Sequence, residues 1–292
     1  MSTPAVSEGS AAGGAAGRAA GVPRVDCHGL THPGRVRAEN EDQFAVLALQ
    51  HGARLLHGSL GDAALVERLT RVSGQVLIVA DGVGGIAGGR EASRLAVATV
   101  AEYLAEVAAC YRGMDAGREH DFLDRLTTGV ERAHRRLIAE FGEGRGPATT
   151  LTLVALLWPR AYIVHVGDSR GYVLRRGRLL QFTKDQTMGA LFVDIGRVTE
   201  EQAERRGLND VLSSAVGGDL APVVGVLDVA PGEALLLCTD GLTKHVSDAR
   251  IAERIAAAPH AEAACRALVE DALEGGGTDN VTVVVARFVP AG

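Results

Sequence analysis

The sequence predicts an α+β fold: two antiparallel β-sheets packed face to face as a sandwich, flanked by α-helices on both sides. Three observations predict it. Short apolar runs, rich in β-branched residues and bounded by Gly, Asp or Pro, recur along the chain. Two long helical stretches follow one another between blocks of strands, and more helices come near the end. A strict strand–helix alternation is missing, which argues against a doubly wound parallel sheet.

Each element follows from its own residues. Positions 1–23 are mostly Ala, Gly and Ser, with little to bury, and read as a flexible tail. From position 24 to 292 no second linker interrupts the chain, so one domain is expected. Asp42–Leu49 and Gln75–Ala80 read as strands. The long excursion between them, His51–Ser73, contains a candidate small helix at Asp62–Thr70. Glu91–Ala109 and Asp121–Phe141 read as helices; in the second, Phe122, Leu126, Val130, Leu137 and Phe141 fall on one face. Leu151–Trp158 and Ala161–Val166 are apolar strands, the first ending before Pro159. Gly171–Arg175 and Leu179–Phe182 form a hairpin that turns at Gly177. A helix over Thr199–Arg206 opens with the capping-box pair Thr199 and Gln202. Ala234–Cys238 is a strand, Ser247–Ala257 a helix starting at a Ser N-cap, Ala261–Leu273 a helix and Val281–Phe288 the last strand.

Composition excludes several classes. Acidic residues outnumber basic ones, 36 to 30, for a net charge of −6, against what a nucleic-acid binder needs. The 4 cysteines, Cys27, Cys110, Cys238 and Cys265, have no C-x-x-C or Cys/His ligand spacing. They read as small core residues of a protein in a reducing compartment, not as a disulfide framework or a zinc site. No apolar run approaches the ~18 residues of a membrane span. No basic start with an apolar core marks a secretory signal, so a cytoplasmic location is expected.

The chemistry lies where strands end. An apolar strand followed at once by an acid, usually beside Gly, occurs at Val79-Ala80-Asp81-Gly82, His165-Val166-Gly167-Asp168 and Cys238-Thr239-Asp240-Gly241. Asp279 precedes the last strand, and Asn40-Glu41-Asp42 precedes an early one. One Asp-Gly after a strand is ordinary turn chemistry. Several acids on one rim of a sandwich are different: they repel one another and stay ionised together only beside a cation. Oxygen ligands without a His or Cys cluster suit Mg²⁺ or Mn²⁺ and not zinc.

In chain order the motifs are Arg37-Ala-Glu-Asn-Glu-Asp42, Asp81-Gly-Val-Gly-Gly85, Ala148-Thr-Thr-Leu-Thr152, Val166-Gly-Asp-Ser-Arg170, Phe182-Thr-Lys-Asp185, Thr239-Asp-Gly241 and Thr278-Asp-Asn-Val-Thr282. Each alone is weak; together, in this order and spacing, they are specific. The chain resembles the metal-dependent protein phosphatases of type 2C, the PPM family, in their bacterial Ser/Thr form. The resemblance runs from about Arg24 to Phe288.

It implies a catalytic domain over 24–292 with a flap at about 186–218, two or three Mn²⁺ or Mg²⁺ ions, and hydrolysis of phosphoserine and phosphothreonine by a metal-activated water. Carried over by residue, Asp81 bridges two metals, Asp240 and Asp279 hold the first, and the Gly82 carbonyl binds the second. Glu41 and Asp42 act through metal-held waters, Asp168 with Asp240 makes a third site, and Arg37 binds the substrate phosphate. The implied partners are phosphorylated proteins, among them a Hanks-type Ser/Thr kinase and its substrates, with neither nucleic acid nor a membrane span, and the expected state is a monomer. Two alternatives remain: a phosphatase of a sigma-factor regulator, and a non-catalytic module that grips a phosphoprotein.

Some positions depart from the family pattern. Val83 stands where many eukaryotic members carry a His, and Ile86 where bacterial relatives often do. His165 replaces a usual Asn and reads as a satisfied core residue. Asp185 reads as a salt-bridge partner, and Ser169 and Arg170 as turn and network residues. Gly84, Gly85, Gly88 and Gly89 lack a P-loop pattern and read as a tight strand-to-helix turn.

Overall fold

The computed structural model describes residues 23–50, 52–58, 74–84, 88–107, 118–144 and 146–290. The tail at 1–22, the helix expected at Asp62–Thr70, Gly85, Ile86 and Cys110 lie outside the described residues.

Two antiparallel sheets form the core. The smaller has the order β1 (Arg24–His32), β12 (Val281–Val289), β11 (Ala234–Cys238), β8 (Arg170–Arg175), β9 (Arg178–Gln181). The larger has the order β10 (Val223–Asp228), β7 (Arg160–Val166), β6 (Leu151–Leu157), β4 (Gly74–Val83), β2 (Asp42–Gln50), β3 (Gly52–Gly58), with the short β5 (Ala148–Thr149) beside β4. Helices α1 (Gly88–Val107) and α2 (Glu119–Phe141) cover the outer face of the larger sheet. Helices α6 (Asp248–Ala257) and α7 (Ala261–Glu274) cover the smaller one.

The period-2 geometry of a strand explains the continuous apolar runs. In β4, Val76, Ile78 and Ala80 face the helices, while Leu77 and Val79 face the other sheet. In β12, Val281, Val283 and Val285 face α6 and α7, while Val284, Ala286 and Phe288 face the larger sheet. Both faces of these strands are covered, so nearly every residue is apolar. Each fully buried Leu or Val contributes about 1.5–3 kcal/mol relative to exposure.

Local signals set the element ends. The Thr199 side chain accepts from the Gln202 amide and the Gln202 side chain accepts from the Thr199 amide, a complete capping box at the start of α4 (Glu200–Arg205). Ser247 caps α6. In the β8–β9 hairpin Arg175 pairs with Arg178, and Arg176 and Gly177 both take positive φ, 51° and 74°, as a type I′ turn requires. The segment 186–218 folds back on itself. It holds α3 (Met188–Asp194), α4 and a 3₁₀ turn at Leu208–Asp210, and a bridge between Thr187 and Leu212 closes it.

Candidate metal centre

One end of the sandwich collects the acids because strands of both sheets begin or end there. Asp42 is the first residue of β2 and lies directly across from Asp81 near the end of β4. Asp168 sits in the tight turn between β7 and β8. Asp240 opens α5 (Asp240–Thr243), immediately after β11, and Asp279 precedes β12. Arg37, Glu41, Asp81, Gly82, Asp168, Asp240 and Asp279 line one cleft of about 360 Å³, together with Val83, Lys244 and Asn280. From the segment 186–218, Asp210 and Leu212 reach the same cleft. Asp42 lies beneath it, 1% exposed.

Hydrogen bonds hold the loops that carry these acids. The Asn280 side-chain oxygen accepts from the Glu41 amide, and its nitrogen donates to the Pro33 and Glu39 carbonyls. One residue thus fixes the loop of Arg37 and Glu41 against the loop of Asp279. The Thr150 hydroxyl accepts from the Asp81 amide at 2.9 Å, and the Thr149 hydroxyl donates to the Asp81 carbonyl at 2.8 Å. Thr150 also shares a hydrogen bond with Ser169, beside Asp168. Thr239 donates to Asp42 Oδ2 at 2.8 Å and accepts from the Thr282 amide.

Gly82 has a steric reason to be Gly. A Cβ there would run into the Gly89 carbonyl oxygen at the start of α1. The absent side chain lets β4 and α1 meet backbone to backbone at the cleft wall.

The rim is short of positive charge. Burial pushes the Asp81 carboxyl well above the usual range, and the negative charges of Asp42, Asp240, Asp168 and Asp279 push it further. Burial raises Asp42 to about 7, against hydrogen bonds from Thr282 and Thr239 that favour its ionised form. Asp168 is raised to about 7 by burial and then by Asp240. Burial also works to raise Asp279, but Lys244 and Arg37 overcome it and hold that carboxyl below the usual aspartate value.

The cations are placed unevenly. Arg37 grips Asp279 with a fork, Nε to Oδ1 at 3.0 Å and Nη2 to Oδ2 at 3.1 Å. The Lys244 ammonium lies 2.6 Å from Asp240 Oδ2 and 2.9 Å from Asp279 Oδ2. Two buried carboxylate oxygens, Asp42 Oδ1 and Asp240 Oδ1, have no hydrogen-bond partner. Among the described residues no three Asp, Glu, His or Cys side chains close into a finished metal cage. The donor set still fits hard divalent cations. It is all oxygen, it carries surplus negative charge, and it leaves buried oxygens unsatisfied.

The residues read as structural behave so. His165 is buried, sharing a hydrogen bond with Thr152 and another with the Lys184 carbonyl, and burial lowers its pKa. Arg170 makes a bidentate pair with Asp185. Cys238 and Cys265 are buried; Cys27 is only partly so and donates to Gln75. Lys244 belongs to the rim as well, although no motif in the sequence marks it. Its spacing of four from Asp240 was the available signal, and it becomes one only if Asp240 starts a helix.

The Protein phosphatase 2C family profile matches residues 59–274. The serine/threonine protein phosphatase PstP of Mycobacterium tuberculosis is 36% identical over 260 residues, covering 88% of this chain. The chain spans 43% of the length of that relative. The solved structure of the PstP catalytic domain in complex with 2 manganese ions matches with a TM-score of 0.66 and 35% identity, over 91% of this chain and 98% of that one. The serine/threonine phosphatase of S. agalactiae matches with a TM-score of 0.75 over 90% of this chain and 99% of that one, at 24% identity, a likeness of fold.

Proposed function

We infer the activity from one premise: the chain belongs to the protein phosphatase 2C family. We propose that it is a metal-dependent protein Ser/Thr phosphatase that hydrolyses phosphoserine and phosphothreonine. The observation that carries this reading is the rim itself, where Glu41, Asp42, Asp81, Asp168, Asp240 and Asp279 crowd around one cleft with, among the described residues, Arg37 and Lys244 as its cations.

Asp81, Asp240, Asp279 and the Gly82 carbonyl are the proposed direct ligands of two Mn²⁺ or Mg²⁺ ions. Asp168 with Asp240 is the proposed third site, and Glu41 and Asp42 are proposed to act through waters. Bound divalent cations supply Lewis-acid neutralisation of a phosphate monoester and of the water that attacks it. The chain's own residues do the rest. Arg37 is half exposed and already holds a planar oxyanion, Asp279, with its fork. The same fork suits two phosphate oxygens of a substrate. Thr149 and Thr150 fix the backbone of Asp81, and Thr239 fixes Asp42, so the acids need no rearrangement as charge develops. The flap borders the cleft through Asp210 and Leu212, where a phosphopeptide's flanking residues would pass.

The proposed substrates are phosphorylated proteins, including a Hanks-type kinase and its targets, in keeping with PstP being a serine/threonine protein phosphatase. A cytoplasmic location and a monomeric state belong to the same proposal. Among the described residues no helix is long and apolar enough to cross a membrane. The test is hydrolysis of para-nitrophenyl phosphate by wild type and Asp240→Asn, with Mn²⁺, with Mg²⁺ and with EDTA. Metal-dependent turnover lost in EDTA and in the variant supports the reading. A folded wild type inactive with every metal moves the weight to a phosphoprotein-binding module.

A further inference from the structure

The Lys244 ammonium bridges two acids of the rim. It contacts two proposed metal ligands from different elements, Asp240 Oδ2 of α5 at 2.6 Å and Asp279 Oδ2 of the loop before β12 at 2.9 Å. Helix geometry accounts for the first contact, an i,i+4 pair. It does not account for the second, which crosses from β11's exit to β12's entry. Lys244 satisfies only half of the Asp240 carboxylate, because Oδ1 remains buried and without a partner.

The lysine also has somewhere to go. It lines a second cleft of about 460 Å³, between Asp240 and the flap, where Asp185 and Asp194 are paired with Arg170 and Lys184 while Glu200 and Asp210 supply further carboxylates. Burial works to lower the ammonium's pKa, and Asp240 and Asp279 override it, so the group is a full cation.

We propose that Lys244 is a tethered counter-cation that competes with the divalent ion for Asp240 and Asp279, and so sets the metal affinity of this enzyme. Metal binding then requires the ammonium to leave the two carboxylates and swing toward the flap cleft. One monovalent charge on a flexible four-carbon stem keeps the acids together and yields to a divalent ion. This rests on the metal-dependent reading proposed above.

The test is calorimetric titration of Mn²⁺ into metal-free wild type, Lys244→Met, Lys244→Gln and Lys244→Arg, without substrate. Met and Gln remove the charge, Met with an unbranched apolar stem and Gln with a neutral amide that can still donate; Arg keeps the charge. Met and Gln should each bind the first Mn²⁺ about fivefold more tightly than wild type, with Arg close to wild type. The metal-free Met variant should melt lower than wild type, and its Tm should rise more on adding Mn²⁺. Equal or weaker binding by both neutral variants overturns the role of Lys244 and leaves the metal centre standing. No binding by wild type or by any variant removes the metal centre, and the inference with it.

Discussion

Two clusters of acids and bases on this molecule lead opposite lives. On the outer helices, Asp271 of α7 is held by Arg250 and Arg254 of α6, with Arg250 Nε at 2.8 Å and Arg254 Nε at 2.7 Å from Oδ2. Two cations serve one carboxylate, and every oxygen has a donor. The Arg254 hydrogen bond, more than offsetting burial and joined by Arg250, holds the Asp271 carboxyl down at about 2. At the rim the ratio is reversed, and Asp42 and Asp168 sit near 7. Both clusters are built of ordinary residues on rigid elements. The difference is stoichiometry: a closed cluster contributes to stability, and an open one leaves a demand for cations that a ligand can meet.

The largest effect comes from cutting into the rim. Asp81→Asn should reduce Mn²⁺-dependent phosphatase turnover by on the order of 10³-fold. The same change should raise the metal-free Tm at neutral pH, because the buried Asp81 carboxyl, raised in the fold, must take up a proton to fold and Asn need not. A variant that keeps its activity, measured by phosphate release, contradicts the contrast. Arg37→Ala should lower kcat/KM by roughly 10–100-fold, the loss of a charge-assisted fork. Arg37→Lys, with one point charge, should recover only part of it.

The two clusters also differ in their response to pH. Asp168 keeps its proton in the folded, metal-free protein to about pH 7, whereas in the unfolded chain it loses it near 4. The folded state therefore binds more protons between those values, and stability falls as pH rises through that window. Asp168→Asn has no such group, so its stability relative to wild type should grow between pH 4 and 7, by roughly 2–4 kcal/mol. Parallel melting curves of the two metal-free proteins check this; a constant gap counts against it. Asp271 has the opposite sign. Its folded pKa is depressed, so its contribution is full above about 4 and fades as pH falls toward 2. Asp271→Asn should cost only about 1 kcal/mol at neutral pH, since water screens the two arginines, and should leave turnover unchanged. Its Tm deficit should vanish near pH 2.

The same contrast explains what could be read in advance. Central strands such as β4, β6, β11 and β12 are covered on both faces, so their composition announces them. Edge strands do not: β1 is only partly buried along most of its length, and β10 exposes Val223, Val224 and Val226. Both were missed, as was β3, which pairs with β2 inside the expected excursion. The acids were legible because a strand end followed by Asp recurs, and the fold brings those ends to one rim. Lys244 was not legible, because α5 has four residues and no apolar period to announce a helix. Its second contact, with Asp279, spans thirty-five positions and exists only after β11 and β12 have paired.

The most direct test of the central claim is phosphate release from a phosphothreonine peptide by wild type and Asp81→Asn, each with Mn²⁺ and with EDTA. Wild type should release phosphate with Mn²⁺ and none in EDTA, and the variant should release none in either. Turnover that persists in EDTA, or in a folded Asp81→Asn protein, would contradict that claim.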